Sequence, residues 1–295
     1  MDYVFEKDRF IEKINRIVIF REKEKELTAM LRSKKKHIQQ WQSKSNQAQE
    51  ELARILFFRN VRKHKKQEII RECQKEIKRE QEELQKIEDD LKRWTVSCFQ
   101  SEEIPAVYLG QYPQGAGGEY KRLEWDVLYK KGKNVLLATR YVIDHMRYAA
   151  ELEETPWKES DIRKWLNTDF FNTAFLQEER VLIREKENAN PGNDAYHTPE
   201  SENTRDMIFL PSLSEVKSFS DYDEDRIACP TEYAKSKGVF SEPESKGSYW
   251  WLRSNGGNMI NAAVVNFSGY VFEYGFYVNS DRYGVRPCMW VKLED

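Results

Sequence analysis

Tyr249-Trp250-Trp251-Leu252-Arg253-Ser254 opens, and Gly284-Val285-Arg286-Pro287-Cys288-Met289-Trp290-Val291 closes, the stretch whose reading decides the fold. Between these ends Ala262, Ala263, Val265, Val271 and Val278 return at intervals, and the positions separating them hold almost only Asn, Ser, Gly, Asp, Tyr and Phe. Val271, Val278 and Val285 stand seven residues apart, with the turn formers Gly269, Gly275 and Asn279-Ser280 among them, which predicts short strands. The intervening residues read as a binding surface. Tyr supplies rigid amphipathic contact area, and Ser, Gly and Asn supply adaptable hydrogen bonds. The expected ligand-binding positions are Asn258, Ile260, Asn261, Phe267, Ser268, Tyr270, Phe272, Tyr274, Phe276, Tyr277, Ser280, Asp281 and Tyr283. Strand alternation sends the two side chains of Trp250-Trp251 to opposite faces, and Trp251 is assigned to the ligand side.

Upstream, the pattern changes. No Gly or Pro precedes Pro105, and Leu31, Ile38, Trp41, Ala48, Leu52 and Ile55 follow alternating steps of three and four, with Ser45 as a polar intruder. A second series, Ile70, Cys73, Ile77, Leu84, Ile87, Leu91 and Trp94, is interrupted only by Glu80. The charged run Arg59-Asn60-Val61-Arg62-Lys63-His64-Lys65-Lys66 separates them, so an antiparallel helical hairpin is the economical reading and one long rod the alternative. Two helices bury little by themselves, so homo-oligomerisation through residues 1–96 is expected. The basic run carries no interleaved aromatics; it reads as a solvated connector, and nucleic acid is not an expected partner.

Residues 97–103 form a polar linker, and residues 104–295 a second domain of short antiparallel strands: Ala106 to Leu109, Leu123 to Tyr129 and Val135 to Ala138. The glycine cluster Gly115-Ala116-Gly117-Gly118 lacks a Gly-Lys-Ser/Thr ending and reads as a β-turn, not a phosphate loop. Asp161 to Phe175 predicts a helix capped by Ser160 or Asp161, and Leu213 to Phe219 a shorter one. Asn188 to Pro199 reads as loop throughout. Up to Ser97 the chain carries 25 Lys and Arg against 18 Asp and Glu, and the remainder 23 against 32. The net charge of −2 therefore conceals a basic front and an acidic back.

Reactive chemistry is sparse. Cys73, Cys98, Cys229 and Cys288 form no C-x-x-C pair, so neither a disulfide scaffold nor a zinc ribbon is expected. His145 and His197 lie in no recognisable catalytic motif. Asp221, Asp223, Asp225 and Glu232 match the spacing of a calcium loop, but Arg226 stands where that loop needs Gly, so a solvated acidic turn is the plainer reading. Arg253 and Arg286 read as structural ties between strands and loops. No catalytic residue, metal or cofactor is expected. No apolar run approaches the ~20 residues of a membrane span, and Met1 to Asp8 lacks a secretory leader's apolar core. A cytoplasmic or phage-particle protein that does not contact membrane is expected.

The motifs Leu109-Gly110-Gln111-Tyr112-Pro113, Leu123-Glu124-Trp125-Asp126-Val127-Leu128, Ile162-Arg163-Lys164-Trp165-Leu166-Asn167, Phe170-Phe171-Asn172-Thr173-Ala174-Phe175, Thr231-Glu232-Tyr233-Ala234-Lys235, Trp250 to Ser254 and Gly284 to Pro287 occur in one order from about Ile104 onward. In this the chain resembles a bacterial domain of unknown function with the C-type-lectin-like fold of formylglycine-generating enzymes. With its closing Gly-x-Arg-Pro element it also resembles the variable proteins of diversity-generating retroelements. The resemblance implies an α+β protein: an N-terminal coiled-coil hairpin, then a C-type-lectin-like mixed α/β domain that binds a protein or glycan ligand without catalysis. Trp250 to Tyr283 holds no cysteine, so the copper-binding pair of the formylglycine-generating enzymes is missing; an oxidase-like enzyme of that type and a structural phage or cell-assembly component are the alternatives to a binding protein. The resemblance to variable proteins implies that Asn255 to Tyr283 is rewritten at template adenines, since randomised Asn codons yield chiefly Asn, Asp, Ser, Gly, Tyr, Phe, Ile and Val. Glu273 and Arg282 fit that set less well.

Overall fold

The computed structural model describes residues 3–54, 60–99, 105–220 and 222–293. Ile55 of the first apolar series, Arg59 of the basic run, Asp221 and residues 100–103 of the expected linker lie outside the described residues. The protein is mixed α+β: two long N-terminal helices, α1 (Lys7–Arg54) and α2 (Asn60–Phe99), precede a curled, mainly antiparallel sheet domain. The chain divides into two compact units, Asn15–Pro105 and Met1–Ile14 with Ala106–Asp295.

In the helical unit α1 and α2 run antiparallel. Arg16 Nη2 donates to the Cys98 carbonyl at 2.5 Å, Phe20 stacks on Trp94 with centroids 6.5 Å apart, and Lys34 Nζ lies 3.0 Å from Glu80. Leu27 and Leu31 pack with Leu84, Ile87 and Leu91 between those contacts. Glu80, the interruption in the second apolar series, is buried and paired with the half-buried Lys34, and Ser45 is buried as well. A polar layer of this kind fixes the register of two helices, because sliding would leave a buried charge unpaired. α2 continues to Phe99, so residues 97–99 of the expected linker are helical. The hydroxyls of Thr95 and Ser97 donate back to Leu91 O and Trp94 O at 2.9 Å, which lets polar residues stay in the helix.

Among the described residues the sheet unit has thirteen strands: β1 (Val107–Pro113), β2 (Tyr120–Lys131), β3 (Asn134–Thr139), β4 (Asp144–His145), β5 (Ile183–Arg184), β6 (Lys186–Asn190), β7 (Ser201–Asp206), β8 (Ile208–Phe209), β9 (Trp250–Asn255), β10 (Asn261–Val265), β11 (Val271–Tyr277), β12 (Gly284–Val285) and β13 (Cys288–Lys292). The first sheet has the order β1-β2-β3-β13-β5, with β8 also on β13; the second has the order β11-β10-β9-β12-β4; β6 and β7 pair separately. All these pairings are antiparallel except β9 with β12. Trp125, Leu109, Leu123 and Phe170 are buried in the unit, and the Trp125 indole N–H donates to Leu109 O at 2.7 Å.

The expected helix from Asp161 is present to Ala174, with a π-helical turn at Leu166–Phe170. Ser160 Oγ caps it, accepting from Arg163 N. Ser212 and Glu215 form a reciprocal capping box on the helix Leu213–Phe219. The expected loop Asn188 to Pro199 is in part a strand: Asn188 and Asn190 belong to β6, where Asn188 Nδ2 donates to Asp206 at 2.9 Å and Asn190 Nδ2 to Glu202 O at 2.8 Å. The side-chain N–H groups of residues that look like loop find acceptors inside the sheet. The first residues also belong to this unit. Tyr3 donates to the buried Glu179 at 2.6 Å and packs its ring 3.8 Å from the Arg122 guanidinium, while Lys13 Nζ lies 5.1 Å from the Tyr108 centroid.

Candidate functional site

The second sheet separates two kinds of side chain. Trp250, Leu252, Ala263, Val265 and Val271 face a core of Val142, Leu213, Val216, Ala228, Ala234 and Val239. On the other face Trp251 and Phe272 stand opposite Val264, and Phe276 stands opposite Ala262. Between Phe272 and Phe276 the register shifts, so that β11 uses four steps against two on β10. Gly275 makes this bulge feasible. Its φ is +67°, and a Cβ there would lie 2.0 Å from Ala262 O. The extra residues push Tyr274 outward, where it meets Tyr196 edge-on at 5.4 Å.

The outer face is a continuous aromatic network. Tyr249 meets Phe240, Phe267, Phe276 and Tyr283 at centroid distances of 5.7, 5.6, 6.0 and 5.6 Å and at angles between 62° and 81°. Phe276 stacks on Tyr283 at 4.7 Å and touches Phe272 at 5.2 Å, which continues to Tyr274 at 6.3 Å. Tyr249, Phe267, Phe272, Phe276 and Tyr283 are half-buried, whereas Phe240, Tyr270, Tyr274 and Tyr277 are exposed. Burial and the neighbouring Tyr249 push the Tyr283 phenol up to about 12, so it stays neutral at physiological pH. Charged groups edge the face: Lys217 pairs with Glu273 at 2.9 Å, and Arg147 lies 3.9 Å from Asp281.

Of the expected site residues, Asn258, Ser268, Tyr270, Tyr274, Tyr277 and Asp281 are exposed, and Ile260, Phe267, Phe272, Phe276, Ser280 and Tyr283 are half-buried. Two are corrected. Trp251 is fully buried: its indole N–H donates to Met146 O at 2.9 Å, and Tyr148 and Tyr283 cover the ring at 5.8 and 4.8 Å. Alternation sends it away from the aliphatic core, but a second layer of chain lies over it. Asn261 is also buried; its carbonyl accepts from Gly256 N at 2.7 Å and its N–H donates to Asn258 O at 3.2 Å, closing the loop between β9 and β10. The positions read as skeleton, Ala263, Val265, Gly269, Val271, Gly275 and Val278, are all buried. Phe240, Tyr249 and Tyr196 escaped the sequence reading. Tyr249 opens the quoted stretch but was not assigned to the surface, whereas Phe240 and Tyr196 arrive from segments without a motif.

The remaining polar groups are structural. Arg253 donates to Asn190 Oδ1 at 3.1 Å, Leu210 O at 2.9 Å and Ala189 O at 3.1 Å, and pairs with Glu215. Arg286 donates to Thr139 O at 2.9 Å and lies 3.7 Å from Asp126 with Trp250 beneath it; burial pulls its pKa down and Asp126 pulls it up. Arg226 is buried, donates to Gly269 O at 3.1 Å and pairs with Asp223, which occupies one carboxylate of the calcium-like spacing. Glu232 sits in another helix and pairs with Lys235 at 2.7 Å. Among the described residues no group of three or more His, Cys, Asp or Glu side chains is placed to hold a metal. Burial pushes the Cys288 thiol up to about 12, which suppresses the reactive thiolate.

Fold and face together define a sheet domain with one aromatic, solvent-facing side, joined to two long helices. A family model described as Domain of unknown function (DUF6273) matches residues 132–293, and the chain belongs to that family. The matched segment runs from the turn before β3 through β13 and contains every expected site residue. No curated protein and no solved structure matches the chain. Among the described residues no helix is long and apolar enough to cross a membrane.

Proposed function

We propose that the sheet unit is a non-enzymatic recognition domain of the C-type-lectin-like kind, which binds its ligand on the outer face of β9, β10 and β11. The carrying observation is the continuous aromatic network from Phe240 through Tyr249 to Phe272, half-open to solvent and edged by charged groups. Exposed apolar surface rimmed by polar residues marks interaction sites. A protein ligand is favoured over a glycan. Sugars stack on open ring faces, whereas here the rings meet edge to face and spend those faces on one another, leaving edges and hydroxyls outward. The helices act as a homo-oligomerising stalk: Ile70, Ile77, Leu84, Leu91 and Trp94 are only half-buried within one chain, and several copies on one stalk raise weak affinity through effective concentration.

A diversified segment fits the same reading. Exposed or half-buried positions from Asn258 to Tyr283 carry chiefly the residues that randomised Asn codons encode, and the interleaved aliphatic and glycine positions are buried. A near-copy of this segment beside a reverse transcriptase gene, with mismatches only at template adenines, is the expected genomic signature; flanking DNA without it refutes diversification and leaves a fixed surface. The recognition function is tested by probing a displayed peptide library and a glycan array with the full chain and with the triple variant Tyr270→Ala, Tyr274→Ala, Tyr277→Ala. Peptide ligands lost by a variant of unchanged melting temperature support the reading. Ligands held equally by both proteins refute it. Sedimentation of the full chain over a range of concentrations tests the stalk, and a monomer throughout would sink it.

A further inference from the structure

The connection between β6 and β7 carries a second segment to the aromatic face. It closes tightly on itself. A Cβ at Gly192 would lie 2.0 Å from Thr198 O, and His197 takes a left-handed φ of 56°, which few side chains adopt. The Asn193 N–H donates to Thr198 Oγ1 at 2.9 Å, and its carbonyl accepts from Tyr196 N at 3.1 Å and from Thr198 N at 3.3 Å. The tip, residues 194–197, is exposed.

Asn193 also fastens this tip to the sheet. It is buried, and its Nδ2 donates to Glu273 O at 2.9 Å, Gly256 O at 3.2 Å and Asn255 O at 3.3 Å, while its Oδ1 accepts from Ala195 N at 3.2 Å. One side-chain amide thus joins the tip, the loop between β9 and β10, and the bulge of β11. Every acceptor on the sheet side is a backbone carbonyl. Such an anchor reads the course of the chain and not its side chains, so it persists when neighbouring surface positions change. The Glu273 side chain is engaged elsewhere, with Lys217 at 2.9 Å. What the anchor positions is Tyr196, whose ring meets Tyr274 at 5.4 Å and 77°. Tyr196 is 43% and Tyr274 44% exposed, so the pair stands open to solvent although each ring supports the other. Tyr274 belongs to the segment Asn255 to Tyr283, and Tyr196 lies outside it.

We propose that Tyr196, positioned by Asn193, is a fixed contact of the recognition surface, and that a peptide segment of the partner lies across Tyr196 and Tyr274 whatever residues occupy the other outward positions of β11. The inference rests on the recognition face proposed above and extends it to a segment that diversification would leave untouched. A tyrosine suits this role because two torsions fix a large amphipathic contact area, so little conformational entropy is lost when a ligand covers it.

Two selections from a displayed peptide library test the proposal, one on the full native chain and one on the full chain carrying Tyr270→Ser and Tyr277→Asn. The affinity of one peptide from each selection is then measured by calorimetry with and without Tyr196→Ala. A loss of about tenfold is expected in both backgrounds, at unchanged melting temperature. Asn193→Ala should weaken the native chain's peptide as much as Tyr196→Ala does, and combining the two should add little, because the ring that Asn193 positions is already gone. Losses that add in full assign Asn193 a structural role only and overturn its part in the proposal. Should Asn193→Ala not fold, the Tyr196→Ala comparison decides alone. Peptides lost by the triple variant of Tyr270, Tyr274 and Tyr277 but kept by Tyr196→Ala overturn this inference and leave the recognition face standing. Peptides held by that triple variant overturn both. A Tyr196→Ala effect confined to the native background, or a second selection that yields no peptide, overturns the fixed role.

Discussion

The two faces of the second sheet come from the same strands but are built on different rules. Trp250, Leu252, Ala263, Val265 and Val271 on the inner face meet a dense aliphatic core, whereas Phe272 and Phe276 on the outer face stand opposite Val264 and Ala262, touch each other and further aromatic rings, and stay half-buried. A period of two makes this division possible, since neighbouring residues on a strand answer to separate environments. Stability can therefore be fixed on one side while chemistry varies on the other.

The inner face should be the intolerant one. Trp250→Ala removes the largest ring of that core and should cost about 3–5 kcal/mol, read from chemical denaturation. A loss no greater than that of an outer tyrosine would erase the distinction between the faces. Gly284→Val should cost about 1–3 kcal/mol by overpacking. The reason is contact, not turn conformation: Gly284 lies within β12, and a Cβ there would sit 2.1 Å from Val142 Cγ1. A folded Gly284→Val protein with unchanged melting contradicts this.

The comparison reaches beyond the sheet because the first residues are part of the same unit. Tyr3→Phe removes one of the four donors around Glu179, the others being Gly110 N, Leu176 N and Arg122, and should cost about 1–2 kcal/mol. An unchanged denaturation midpoint would show that residues 3–14 do not hold the sheet unit. A chain shortened to Ala106 loses this contact along with the helices, so it tests more than self-association.

Asp144 gives a pH-confined effect. With its folded pKa raised, the folded state holds the proton more strongly than the unfolded state, so its contribution is complete below the ordinary carboxylate range and is lost as pH rises through the raised value. The groups acting on it are the Tyr112 hydroxyl and the charges of Lys237 and His145. Asp144→Asn should flatten the fall in melting temperature over that interval, and identical pH profiles for the two proteins would exclude a desolvated carboxyl. Smallest of all are Tyr270→Ala, Tyr274→Ala and Tyr277→Ala, each expected within about 0.5 kcal/mol of the native chain although ligand binding is lost. A larger cost would move that tyrosine from the recognition surface to the skeleton.

Much of this organisation was legible locally. The two helical series carried by α1 and α2, the caps at Ser160 and Ser212, and the buried Val271, Val278 and Val285 follow from spacing and residue chemistry that act within a few positions. The split between buried and surface positions was legible for the same reason, because strand alternation is a local property. Neither the burial of Trp251 nor the recruitment of Phe240 and Tyr196 was legible. Trp251 is covered by Met146 and Tyr148, about a hundred residues away in sequence, and no local pattern announces such a lid. Asn188 and Asn190 misled for a related reason: their side-chain N–H groups donate to Asp206 and Glu202 O across β6 and β7, so residues that favour loops in isolation pair as a strand. The sequence by itself determined which residues can line each face and where the helices run. Only the tertiary structure decided which outward side chains stay open, that Tyr3 closes over Glu179, and that the half-buried Asp144 is held by the Tyr112 hydroxyl, because each depends on chain segments that meet only when the whole unit folds.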